Sequence, residues 1–192
     1  TLLMDLNRKT HKAYQRTKKY NYALNGLLGF DVNGKTVGVI GTGKIGKVFI
    51  KIMKGFGTNV IAYDVYQDQK ASSDLGFTYV TLDELYKKSD IISLHCPLTK
   101  DTERIINKNS IEKMKDGVII INTSRGKLID TEELVSMLTT GKISGVGLDV
   151  YEDEEEFFLN DLSNSYLRDK ELSLLLSMPN VVITAHQAFF TK

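Results

Sequence analysis

Residues Lys35–Tyr66 read KTVGVIGTGKIGKVFIKIMKGFGTNVIAYDVY. An apolar run (Val37, Val39, Ile40) meets a glycine-rich turn at Gly41, Gly43 and Gly46, and an amphipathic segment leads to a second apolar run, Val60 to Tyr63, closed by Asp64. Each part suits the holding of a dinucleotide. Gly41 permits a tight turn, Gly43 lets backbone approach a pyrophosphate, and Gly46 lets a helix pack close to a sheet. The free N–H groups of the helix start and its dipole favour the phosphates. Asp64 lies 18 residues beyond Gly46, near the ~20 expected for an acid that bonds a ribose diol. A carboxylate there repels a 2′-phosphate, so NAD is expected rather than NADP.

Outward from this stretch, apolar runs alternate with helical patterns. Leu3, Leu6, Thr10, Ala13, Thr17 and Tyr20 predict one helix over Thr1–Tyr20, with Arg8, Lys9, Lys12, Arg16, Lys18 and Lys19 as a basic surface, either solvated or at an interface. Asn21–Gly34 is a connector. The helix after the glycines is expected over Lys44–Gly55, burying Ile45, Val48, Phe49, Ile52 and Met53. Strands are expected at 36–40, 59–63, 77–80, 90–94, 118–121, 145–148 and 181–184. Helical pieces are expected at 68–75, from the capping pattern Thr81-x-x-Glu84, over Thr102–Asn107, from Ser110-x-x-Lys113, from Asp130-x-x-Glu133, and at 170–177. Such alternation predicts an α/β fold: a doubly wound, mostly parallel sheet of the Rossmann dinucleotide-binding type.

The 192 residues suffice for one domain with a substantial core, and a net charge of +1 makes no case for nucleic acid. No apolar run approaches a membrane span, no secretory signal pattern is present, and no metal is expected. The lone Cys96 excludes an internal disulfide and fits a reducing cytoplasm. Opening at Thr1 within a helical pattern and closing on FFTK, the chain is read as a piece of a longer protein.

In an open parallel sheet, ligands bind beyond the carboxyl ends of the strands. Those ends carry Asp64, His95 to Pro97, Thr123 to Arg125, Asp149 with its following acids, and His186. Arg125 follows a wholly apolar strand, so its guanidinium is placed to take a carboxylate bidentately. His186 is suited to general acid–base work. A neighbouring carboxylate would favour its imidazolium, and Glu152, Asp153, Glu154, Glu155 and Glu156 are all candidates. Cys96, His95 and His11 are read as packing or surface residues.

Taken together, GTGKIG, SLHCPLT, INTSRGKLID, GLDVYEDE and ITAHQAFFT resemble the D-isomer-specific 2-hydroxyacid dehydrogenases. The AHQAFFT ending and the opening LNRKTHKAYQRT are similar to the bacterial fermentative D-lactate dehydrogenase branch. The resemblance implies catalytic roles for Arg125, Glu154 and His186. It implies cofactor contacts at Gly41, Gly43, Lys44, Ile45, Gly46, Asp64, Cys96, Pro97, Thr102, Thr123, Ser124, Arg125 and Asp149, although family members often carry asparagine where Thr102 stands. The implied reaction is pyruvate plus NADH to D-lactate plus NAD. Residues 1–192 would be the NAD-binding domain, inserted in a substrate domain built from both ends of the intact chain, and the fragment alone would turn over little. A 2-keto or 2-hydroxy acid is the expected small-molecule partner, with a homodimer formed through this domain, the first helix at its interface, and no nucleic-acid or membrane partner. The alternatives are a dehydrogenase for a bulkier 2-keto acid and a non-enzymatic NAD-sensing protein resembling the C-terminal-binding corepressors.

Overall fold

A computed structural model of the chain describes residues 1–158 and 160–191, with the backbone alone at Glu156. The expected N-terminal helix is in fact two, α1 (Leu2–Arg8) and α2 (Thr10–Thr17). They part at Lys9, whose backbone is left-handed at φ 50°, ψ 40°. Asp5 stabilises the break: one carboxylate oxygen accepts from the Thr10 hydroxyl at 2.6 Å and from the His11 N–H at 3.1 Å, satisfying a donor that a helix start leaves free. α1 buries Leu3 and Asn7, whereas α2 buries nothing. The cations here are not simply solvated. Lys9 donates to the Leu28 carbonyl, Lys12 to that of Pro179, and Arg16 to those of Ala23 and Asn25, which fastens the connector.

The next elements are β1 (Thr36–Ile40), α3 (Lys44–Gly55), β2 (Asn59–Tyr63), α4 (Gln69–Leu75), β3 (Thr78–Tyr79), α5 (Leu82–Lys88) and β4 (Ile91–Leu94). They are followed by α6 (Lys108–Lys113), β5 (Val118–Asn122), α7 (Thr131–Thr139), β6 (Ile143–Leu148), α8 (Lys170–Ser177) and β7 (Val181–Ile183). The strands form one sheet in the order β3-β2-β1-β4-β5-β6-β7, and every pair is parallel. Parallel pairing needs a crossover for each strand, so helices cover both faces. α1, α3 and α4 close one face around Val37, Val39, Ile50, Met53 and Ile121. α5 to α8 close the other around Ile40, Leu85, Ile111, Ile120, Leu134 and Leu175. Each fully buried Ile or Leu contributes about 1.5–3 kcal/mol over its exposed state.

Side-chain caps set most helix starts. The Thr81–Glu84 capping box forms, Asp68 accepts from the Ala71 N–H, and Asp130 accepts from that of Glu133. α6 begins earlier than expected, because Asn107 is its cap and Ser110 is the residue that answers it. Residues Thr102–Asn107 are not helical: Arg104 is left-handed at φ 50°, and Ile106 bridges to Ile129 instead. α3 also departs from the periodic reading. It buries Gly46, Ile50 and Met53 and leaves Ile45, Val48 and Ile52 at 72%, 60% and 53% exposure. The contact with Gly46 rotates the helix so that its second apolar stripe faces outward.

Chain direction places the site. β1, β2 and β3 are laid down to one side, and β4 then returns to the other side of β1. The crevice beyond the carboxyl ends of β1 and β4 is where such sheets take their ligand.

Candidate active site

At that crevice Gly41 has φ +97°, and a Cβ on it would lie 2.6 Å from the Cys96 nitrogen and the His95 carbonyl carbon. A Cβ on Gly46 would lie 2.1 Å from the Gly41 oxygen, so the turn and α3 touch backbone to backbone. Gly43, which caps α3, has no protein atom within 4 Å of the same construction. The first and third glycines of the turn are closed by protein, and the second opens onto space at the start of a 12-residue helix. Asp64 ends β2, with one carboxylate oxygen accepting from the N–H and hydroxyl of Thr42 at 2.6 and 2.9 Å and the other from the Tyr66 N–H at 3.0 Å. Burial works to raise the Asp64 pKa, but these donors outweigh it and hold the acid below the ordinary carboxylate value.

Beneath the turn, His95 bonds Ser93 at 2.9 Å and lies 4.9 Å from the Phe49 ring. Burial pushes its pKa down to about 4, so it is a neutral packing residue. Burial likewise pushes the Cys96 thiol up to about 11, away from thiolate chemistry. The Cys96 carbonyl accepts from Ser124 at 2.7 Å, which ties the loop after β5 to the loop after β4. Thr102 closes its own turn by donating to the Pro97 carbonyl at 2.6 Å.

Farther along the sheet, buried Asn122 shapes the next turn: its amide donates to the Arg125 carbonyl at 2.8 Å, and its oxygen accepts from the Ser124 N–H at 3.0 Å. Arg125 itself is exposed. Its guanidinium donates to the Ser124 carbonyl at 2.7 Å and takes part in no ion pair among the described side chains, so most of its fork is open to a ligand. A Cβ on Gly126 would lie 1.9 Å from the Tyr151 carbonyl oxygen, so the Arg125 turn rests directly on the loop after β6.

That loop carries Glu154. One of its oxygens accepts from the Tyr151 N–H at 2.8 Å, and the other lies 2.8 Å from His186 Nδ1. Among the five candidate acids, Glu154 is therefore the partner of His186. Glu152 pairs with Arg104 instead, at 3.0 Å. Because Glu154 takes Nδ1, the Nε2 edge of the ring is left for other partners. His186 has a left-handed backbone, φ 51°, uncommon for a residue with a side chain. Its N–H donates to the Asp149 carbonyl at 2.7 Å, while the Asp149 carboxylate accepts from Thr184 Oγ1 at 2.5 Å, the Gln187 N–H at 3.0 Å and the Ala188 N–H at 2.8 Å. Asp149, expected at the cofactor, organises the His186 turn from within the protein.

Residues 1–188 match the model of the family described as D-isomer specific 2-hydroxyacid dehydrogenase, NAD binding domain. The chain belongs to this family. A 2-hydroxyacid dehydrogenase homolog of Haemophilus influenzae is 50% identical over 191 residues, covering 100% of this chain and 57% of the relative. The D-lactate dehydrogenase of Escherichia coli is 48% identical over 190 residues, covering 99% and 57%. The solved D-lactate dehydrogenase of Salmonella superposes with a TM-score of 0.89 at 48% identity, covering 99% of this chain and 57% of that one. The chain thus spans just over half the length of these relatives. The cofactor of the family domain is NAD, and the observed turn fits it. Gly41 and Gly46 are filled from the protein side, Gly43 faces open space, and Asp64 is anchored at the end of β2.

Several residues that build the site were not singled out from sequence. Asn122, Gly126, Tyr151 and Tyr79 act through backbone contacts or hydroxyl bonds between distant segments, and no local spacing marks them. A glycine directly after Arg125 was the one available signal. α1 is not free to form an interface with its apolar side, because Leu2 and Leu6 pack over Gly147 of its own sheet.

Proposed function

We propose that residues 1–192 form the NAD-binding domain of an NAD-dependent D-lactate dehydrogenase, which reduces pyruvate with NADH to D-lactate. The observation that carries this reading is the His186–Glu154 pair at 2.8 Å beside a turn whose Arg125 is open to a ligand. The names of the E. coli and Salmonella relatives support it.

In this reading NADH, held by the glycine turn and Asp64, would supply the hydride that reduces the keto carbon. Arg125 takes the substrate carboxylate on its planar fork and polarises the ketone. His186, protonated, faces the ketone oxygen with Nε2 and gives it a proton as charge develops. Glu154 accepts from Nδ1–H, fixes the ring, and stabilises the imidazolium, while the Tyr151 N–H keeps the carboxylate in place. Oxidation of D-lactate runs the same proton in reverse. Phe189, 68% exposed and 5.8 Å edge-on from the His186 ring, would border the substrate.

The substrate domain would come from both ends of the intact chain and supply the other wall of the pocket. Homodimerisation through this domain fits the outward apolar stripe of Val48 and Ile52 on α3 and Phe56 just beyond it. A cytoplasmic location fits the free Cys96 thiol. Among the described residues no helix is long and apolar enough to cross a membrane.

The test is a panel of 2-keto acids with NADH on the intact protein, with the handedness of the product determined. Pyruvate should give the highest kcat/KM and D-lactate as product. Preference for a bulkier keto acid would assign a sister specificity. NADH binding without turnover on any keto acid would favour the NAD-sensing alternative. Residues 1–192 alone should bind NADH with little turnover, and full activity from them would overturn the two-domain reading.

A further inference from the structure

Asp64 sits at one end of a continuous chain of polar contacts. Thr42 Oγ1 lies 2.9 Å from Asp64 Oδ2 and 2.8 Å from the Tyr79 hydroxyl, which lies 3.1 Å from the Asp68 nitrogen. Asp68 caps α4 with one carboxylate oxygen and pairs with Lys47 of α3 through the other, at 2.6 Å. The direction of each bond follows from its ends. An ionised Asp64 can only accept, so Thr42 gives it the hydroxyl proton. Thr42 therefore receives the proton of Tyr79, and Tyr79 accepts from the Asp68 N–H, which can only donate. Each hydroxyl then donates one bond and accepts one, so Thr42 and Tyr79 are both satisfied. Thr42 is 4% exposed, so it has no water to substitute for these bonds.

Two consequences follow at the ribose end. Asp64 already accepts three hydrogen bonds, which fix its plane and leave acceptor capacity for a diol on Oδ1. Lys47, the ammonium of this network, is drawn onto Asp68 and away from any phosphate next to Asp64. We propose that Thr42 and Tyr79 are positioning residues for nucleotide choice: they hold Asp64 in its ribose-accepting pose and, through Asp68, keep Lys47 from serving a 2′-phosphate. This rests on the assignment of Asp64 to the adenosine ribose.

The experiment is titration of the intact protein with NADH and with NADPH, read by fluorescence, with melting temperature as a folding control. Tyr79→Phe keeps the ring that packs edge-on against Phe77 at 5.1 Å and removes only the hydroxyl. It should weaken NADH roughly three- to tenfold and, by loosening the hold of Asp68 on Lys47, strengthen NADPH modestly, narrowing the preference. Thr42→Val should do the same, and Thr42→Ser should restore the wild-type ratio, which a purely structural role would not predict. Asp68→Asn should strengthen NADPH by freeing Lys47. Asp64→Ala is the arm that separates the two claims. If it narrows the preference while Tyr79→Phe and Thr42→Val leave both affinities unchanged, the ribose assignment survives and the positioning role is overturned. If Asp64→Ala itself leaves the preference unchanged, both are overturned.

Discussion

Glu154 and His186 stand 32 residues apart in sequence, yet their Oε1 and Nδ1 atoms lie 2.8 Å apart. The contact joins the loop after β6 to the turn after β7, and each side is held independently, Glu154 by the Tyr151 N–H and His186 by Asp149. A geometry fixed from both sides is what a proton donor needs before the substrate arrives.

Replacement of His186 by Gln in the intact protein should lower kcat by about 10²–10⁴-fold, the range of a lost general acid. The NADH dissociation constant should stay within about twofold. Glu154→Gln should give a smaller fall in kcat, since the ring remains but loses its charged partner. Stopped-flow measurement of NADH oxidation checks both. An undiminished chemical step in His186→Gln would remove the residue from its proposed role.

Arg125→Lys keeps the charge and loses the planar fork. The KM for pyruvate should rise by at least tenfold, consistent with loss of about 1.5–3 kcal/mol from a charged hydrogen bond. Since Arg125 has no ion pair among the described side chains, the melting temperature should hardly change. Steady-state kinetics and calorimetry together separate substrate handling from folding.

Gly126→Ala places a methyl group against the Tyr151 carbonyl, and one of the two loops must move. The φ of Gly126 is not in the left-handed region, so the cost is steric, about 1–3 kcal/mol. Because the displaced loop carries Glu154, kcat should fall along with stability. A fall in melting temperature with unchanged kcat would show that the two turns are not mechanically coupled.

His95 gives the stability a definite pH dependence. Its folded pKa lies near 4 and its ordinary value near 6.5, so the unfolded chain takes up a proton at higher pH than the native state does. The stabilising contribution is complete above 6.5 and is lost progressively as the pH falls toward 4. Urea midpoints across pH 4–7 should therefore decline less steeply in His95→Gln than in the wild type. Equal slopes would mean that folding does not lower the His95 pKa.

The strand positions and the nucleotide turn were legible because glycine placement and apolar runs are local signals. From spacing alone the acid beside His186 was a choice among five, and only the resemblance named Glu154, since the loop path that selects it is set by Tyr151 and Gly126. The buried side of α3 was read in part: Met53 is buried and Phe49 packs against the core, but Ile45, Val48 and Ile52 face outward, because that helix carries two apolar stripes and the backbone contact at Gly46 decides between them. The break at Lys9 has no proline or glycine to announce it. It depends on Asp5 reaching forward to Thr10 and His11, a contact visible only once the turn exists. The framework role of Asp149, whose carboxylate accepts three internal hydrogen bonds, depends on the His186 turn and carries no local signal.

β7 is an edge strand of three residues, paired only with β6. Edge segments with few pairing bonds open first in local unfolding. Opening of β7 would carry the His186 turn away from Glu154 while β1, β2 and β4, which frame the nucleotide crevice, stay paired. Mild heating or denaturant should then silence turnover before it releases NADH, and amide exchange in the segment that bears the proposed proton donor should be faster than in β1, β2 and β4.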